Sequence, residues 1–361
     1  MPRGDDAAIP SAGARSGARV THASSPVRLA RGAKRRVTSR APRASVIVAI
    51  VAAVAMAGAK SAAQRSVPAS RAWTHPRMPW GDPDLEGAWT TDNNFSIPLE
   101  RPAEVADREF LEGKALEDAL ARRAQTIAAV ADGGAVGAGP PHWYENLTAK
   151  SSRSSLIIDP PDGRLPPLTD EARARAASEA AARGGRGPAD SWEDRSLWDR
   201  CITVGLPSVM FPTGYNNNVA ILQSPGVVTI THEMMHDVRV IPLDGRPHLA
   251  PAIRPYLGDS RARWDGATLV VDVTNFHPKS TYRGSHETLH LIERYTRTAR
   301  DEMRYEVTVD DPHTYTRPWT AVLDLAPQRP LYEYACHEGN RGLEGILRAA
   351  RVEEQAAAAR R

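Results

Sequence analysis

Between Val219 and Leu325 the chain repeatedly alternates apolar and polar residues. Val227–Thr231, His236–Ile241, Thr268–Thr274, Leu289–Tyr295, Met303–Val309 and Trp319–Leu325 all carry the pattern. A period of two puts one set of side chains on one face of an extended segment, which is what a strand with one buried face requires. Met303, Tyr305, Val307 and Val309 form such an apolar face, and Arg304, Glu306, Thr308 and Asp310 the wet one. Turn-forming residues separate the runs, and Asp265-Gly266 between Arg261–Trp264 and Thr268–Val271 marks a tight hairpin. The expected class is mainly β (α+β), an antiparallel meander. About eight strands with no crossover helices roll up and close, because closure removes exposed edges.

Charge divides the chain in two. Residues 1–43 carry ten basic and two acidic groups, although the 361-residue chain has a net charge of only +3. Without that segment and Lys60, 35 basic residues face 41 acidic ones, so the folded part is acidic. A nucleic-acid binder needs a basic face on the domain itself, and none is expected here. Ser45–Ala59 is nearly all apolar, follows the basic stretch and precedes Ser61-Ala-Ala63. This reads as a signal peptide cut after Ala59 or Ala63. The run falls short of the roughly 20 apolar residues of a comfortable membrane span, so membrane contact is expected only if the segment stays uncleaved.

Export places Cys201 and Cys336 in an oxidising compartment, where two cysteines most simply pair. The alternative is Cys336 as a nucleophile beside His337. It is poorly built, since adjacent residues of an extended chain point to opposite faces.

Four regions follow: a basic N-terminus and signal peptide (1–63), an extended entry segment with two helices (64–200), the barrel-like meander (201–335) and a C-terminal helix (336–361). Pro79–Trp89 is dense in turn formers, with Trp80, Leu85 and Trp89 as gap-filling apolar groups. Ala103–Ala131 has a one-sided apolar stripe, and Thr169 caps a second helix through Arg183. These helices and the last one are expected to pack outside the sheet.

Five stretches carry a resemblance. They are Asp244–His248, Gly258–Phe276, Leu289–Arg294, Val309–Pro312 and Tyr334–Asn340, and Asp82–Trp89 fits as well. Together they resemble a large uncharacterised family of exported bacterial proteins. The resemblance implies a lipocalin-like β structure and a periplasmic or secreted location. It carries over no catalytic residue.

His232-Glu-Met-Met-His236 matches the zinc-protease pattern in which a helix puts two imidazoles on one face. Its surroundings are rich in Val, Ile and Thr, which favours strand over helix. In one straight strand the two histidines stand roughly 13 Å apart, too far to share a metal. A hairpin near Met234 brings them back, so zinc through His232, Glu233 and His236 stays open as the basis of a hydrolase. No other cofactor is implied. A barrel points every second side chain inward, and ionisable groups there must be paired or hydrated. The leading expectation is therefore a small, partly apolar molecule in the barrel. Trp264, Trp319 and Tyr334 would line its pocket, with Arg239, Asp244 and His248 as polar anchors. The enzymatic alternative is a hydrolase or isomerase with His290 or His337 as base and Glu338 orienting it. A purely structural envelope protein is the remaining alternative.

Overall fold

A computed structural model describes residues 73–131 (except 106), 144, 147–148, 150–328, 330–338 and 340–360. The basic segment and the apolar Ser45–Ala59 stretch lie outside these residues. Among the described residues no helix is long and apolar enough to cross a membrane.

Ten strands make one antiparallel sheet. They are β1 (Gly87–Thr90), β2 (Ile157–Asp159), β3 (Asn218–Ser224), β4 (Val227–His232), β5 (Val238–Pro242), β6 (Asp259–Asp265), β7 (Thr268–Thr274), β8 (His290–Ala299), β9 (Glu302–Asp310) and β10 (Trp319–Pro327). Around the sheet the order is β5-β4-β3-β1-β10-β9-β8-β7-β6, and β2 shares the β1 side of β10. Nine strands form a nearly closed barrel. Its two ends, β5 and β6, are joined where Arg239 donates to Ser260 Oγ at 2.9 Å.

The alternation seen in the sequence is realised. Strand register sets the inward side chains of β6 to β10 in three rows across the sheet. The first is Ser260, Val273, Leu291, Val309 and Trp319. The second is Ala262, Val271, Glu293, Val307 and Ala321, and the third is Trp264, Leu269, Tyr295, Tyr305 and Leu323. Most of these side chains are fully buried. The Asp265-Gly266 turn closes the β6–β7 hairpin, with Gly266 at φ +62°. Gly258 opens β6 at φ +68°. A Cβ there would come within 2.8 Å of the Thr274 carbonyl, so no larger residue fits.

Two strands come from regions without the period-two signal. β1 lies between β3 and β10, so the entry segment supplies part of the barrel wall. The first helix is shorter than its stripe suggests. Ala103–Val105 is a single 3-10 turn, and α1 runs only over Gly113–Ala131, after Gly113 at φ +51°. Phe110 and Arg153 form an isolated bridge instead, with the guanidinium over the ring. The helix α2 (Asp170–Arg183) has the expected Thr169 cap, whose hydroxyl accepts from Ala172 N, and ends at Gly184 in the left-handed region. The C-terminal α3 (Arg341–Ala359) is capped by Asn340, and its Arg351 donates to the carbonyls of Ala189 and Asp190.

Candidate functional site

The inward residues of the barrel's middle include a polar cluster. Glu293 on β8 is 0% exposed and receives both amino groups of Arg239 on β5. The hydroxyls of Tyr295 and Tyr305 donate to the same carboxylate, at 3.1 and 2.9 Å. Burial alone would lower the Arg239 pKa, but the Glu293 carboxylate overcomes it and holds the pKa above the usual arginine value. Burial, with the carboxylate beside them, pushes both tyrosine hydroxyls well above their ordinary range. Arg239 thus keeps its charge and the phenols stay protonated as donors. His232 faces the same interior from the end of β4, continuing Val228 and Ile230. Burial and the neighbouring Arg239 charge depress its pKa to about 3, and among the described residues its Nε2 has no hydrogen-bond partner.

This placement settles the geometry of the His232–His236 motif. A hairpin does turn there: His232 N donates to the Asp237 carbonyl, with Met235 and His236 at positive φ. Yet the three side chains part company. His232 enters the core, and Glu233 accepts from Asn216, Asn218 and the Tyr332 amide. His236 is exposed, its Nδ1 3.2 Å from the Tyr334 carbonyl and its ring 6.3 Å from that of His337. Among the described residues no three His, Cys, Asp or Glu side chains are arranged to hold a metal.

The expected sites scatter for the same reason: register, not residue type, decides neighbours. Trp264 and Trp319 both point inward but occupy the third and first rows. Asp244 is exposed and paired with Arg246 outside the barrel. His248 and His290 lie on the outer face in a chain of His–Asp contacts. His248 bridges Asp259 (2.8 Å) and Asp272 (3.1 Å), and His290 bridges Asp272 (3.2 Å) and Asp310 (3.7 Å). The hydrogen bond to Asp272 raises the His290 pKa against the opposing effect of burial, and that same bond lowers the Asp272 pKa. The chain fastens the loop after β5 to β6, β7 and β8. Tyr334 and His337 belong to the segment around Cys336, and among the described residues Glu338 hydrogen-bonds neither His290 nor His337. Cys201 and Cys336 are disulfide-bonded, and Asn340 donates to the Cys201 sulfur.

Concave space lies instead at the end of the barrel where β8 and β10 begin. A cavity of about 740 Å³ is walled by residues 193–213 and by Lys279–Arg283 of the β7–β8 loop. Its apolar lining includes Leu197, Trp198, Leu206, Phe211 and Tyr282. The rings step inward from there. Phe211 stacks on Tyr282 (6.2 Å, 11°), and Tyr282 stacks on the fully buried Trp319 (6.1 Å, 29°). Burial pushes the Tyr282 hydroxyl up to about 12, so it stays protonated. The 193–213 wall is tethered by the disulfide at Cys201 and by Thr203, whose hydroxyl donates to Asp237 at 2.7 Å. A second cavity, about 650 Å³, lies over the outer face of β9 and β10. It is more polar, and its Arg304 and Asp324 are already paired.

The mouth cavity escaped the sequence because its walls lie far apart along the chain. The available signal was loop chemistry: Trp192, Trp198, Arg195 and Arg200 in one connection, and Lys279-Ser-Thr-Tyr-Arg283 in another.

No family model and no curated protein matches the chain. Two solved structures are similar over 37% of it. One is a "secretary abundant heat soluble (SAHS) protein" from Ramazzottius varieornatus (14% identity, 87% of that chain, TM-score 0.23). The other is a mutant of the fluorescent protein UnaG (12% identity, 86% of that chain, TM-score 0.22).

Proposed function

We propose that the protein is exported and binds a small, partly apolar molecule in the cavity at the barrel mouth. The observation that carries this reading is the cavity itself. Its roughly 740 Å³ lies within the roughly 300–1,000 Å³ typical of small-molecule sites, and aromatic rings beside a few polar groups line it. The disulfide supports export, because such bonds persist in oxidising compartments.

The test is titration with N-phenyl-1-naphthylamine, a neutral apolar probe that brightens on leaving water. Saturable binding is expected. It should weaken at least about tenfold, equivalent to roughly 1.4 kcal/mol, when Ser208→Trp and Thr281→Trp fill the cavity. Absence of saturable binding, or binding indifferent to both substitutions, overturns the assignment.

A further inference from the structure

Four cations and one carboxylate contribute to the mouth cavity: Arg195, Arg200, Lys279 and Arg283, against Glu193. Arg195 is already paired with Asp199 at 2.9 Å. Among the described residues no carboxylate lies within ion-pair distance of Arg200, Lys279 or Arg283. Arg200 sits instead over the Trp192 ring and Arg283 over the Tyr282 ring, at 4.6 and 5.9 Å. Elsewhere in this structure cations find acids readily: Arg186 with Asp194, Arg261 with Asp259, Arg294 with Asp265 and Arg317 with Asp159. The folded part of the chain carries more acids than bases, so three unpaired cations around one concave space run against its composition.

The two kinds of lining differ in depth. Lys279 and Arg283, within the β7–β8 loop, are exposed, whereas Leu206, Phe211 and Tyr282 are more deeply placed. Hydroxyls of Ser196, Thr203, Ser208 and Ser280 add neutral polar groups. A ligand that satisfies this arrangement has an apolar aromatic or alkyl body and one anionic end.

We propose that the mouth cavity takes an amphipathic organic anion, a carboxylate or its sulfonate analogue. Its apolar body packs on Phe211 and Tyr282, and its charge is held by Lys279, Arg283 and Arg200. The proposal rests on the cavity being the binding site, and the following experiment separates the two ideas. Two fluorescent probes share one ring system: N-phenyl-1-naphthylamine, which is neutral, and 8-anilinonaphthalene-1-sulfonate, which carries one negative charge. Both are titrated against the full folded chain at low and at about 0.5 M salt, where screening shortens to a few ångströms. The expected result is at least about tenfold tighter binding of the sulfonate at low salt. The preference should shrink at high salt and fall at least about threefold in Lys279→Met/Arg283→Met, which leaves only Arg200 of the three cations. That variant keeps apolar stems, and because the readout is the ratio of the two probes' affinities within one protein, any general change in the cavity cancels. Equal affinity for the two probes, with the neutral one bound in the cavity, overturns the anion assignment and leaves the cavity standing. A sulfonate preference undiminished in Lys279→Met/Arg283→Met also overturns it. Failure of both probes overturns the cavity reading and this one together.

Discussion

His232 offers a direct test of how the barrel interior is built. Its imidazole is 2% exposed, and burial with the Arg239 charge lowers its pKa to about 3, against about 6.5 in the unfolded chain. Between those values the unfolded chain takes up a proton that the folded chain refuses. The stability that neutral His232 allows is therefore fully present above pH 6.5 and is lost as pH falls toward 3. At pH 5.5 the unfolded state gains about 1.4 kcal/mol from that proton, against less than about 0.1 kcal/mol at pH 7.5. This window avoids most carboxylates, but His232 is not the only group that changes charge across it. His290 acts with the opposite sign, because its raised pKa favours the folded state as pH falls. Comparison of wild type with His232→Leu cancels those groups. Urea unfolding at pH 7.5 and 5.5 should show wild type losing about 1.4 kcal/mol more than the variant over that span. The variant should be no less stable at pH 7.5, since the substitution removes an unpaired buried nitrogen. Equal pH slopes, or an NMR titration of folded His232 with a midpoint near 6, would refute the reasoning.

Two further outcomes follow from the structure. Glu293→Gln should cost about 3–5 kcal/mol in urea unfolding by leaving Arg239 charged and unpaired in the core, and adding Arg239→Met should recover much of it. A cost below about 1 kcal/mol would mean the guanidinium reaches water. Replacing Cys201 and Cys336 by Ser frees a 135-residue separation, worth up to about 5 kcal/mol by chain entropy, and should weaken N-phenyl-1-naphthylamine binding because Cys201 anchors the cavity wall. Unchanged probe affinity in folded mutant protein would show that the wall stands without the bond.

The strands that could be read from sequence are those whose two faces differ. β7 occupies the expected Thr268–Thr274, and β9 extends Met303–Val309 by one residue at each end. β5 begins two residues late because Met235 and His236 take positive φ to make the turn. β3 was not legible: Asn218–Ser224 has its apolar residues in an unbroken Val-Ala-Ile-Leu run, so no period stands out. β1 is only four residues, Gly-Ala-Trp-Thr, and is a strand because β3 and β10 supply its partners. The site was less legible than the fold. Alternation identifies Arg239, Trp264 and Trp319 as inward, and they are. It says nothing about rows, and rows decide that Arg239 meets Glu293 while Trp264 and Trp319 never share a pocket. His248 and His290 carry the same residue chemistry on the opposite face.

The interior pair also bears on where a ligand can bind. A molecule entering the middle of the barrel would have to part Arg239 from Glu293, or take the place of the tyrosine hydroxyls that complete the carboxylate's shell. Exposing one member of such a pair without a substitute costs about 3–5 kcal/mol, a large fraction of the roughly 8 kcal/mol available to a micromolar ligand. An uncharged apolar molecule could not repay it. An anion could replace Glu293 on Arg239, but the displaced carboxylate would then lie unpaired against the new charge. At the mouth nothing has to be broken. Phe211 and Tyr282 already form an apolar floor, and among the described residues no acid pairs with Lys279 or Arg283. The nearly closed sheet that makes the interior costly to enter also holds Trp319 beneath that floor, so on the proposed reading the barrel would serve as a rigid support for its own rim.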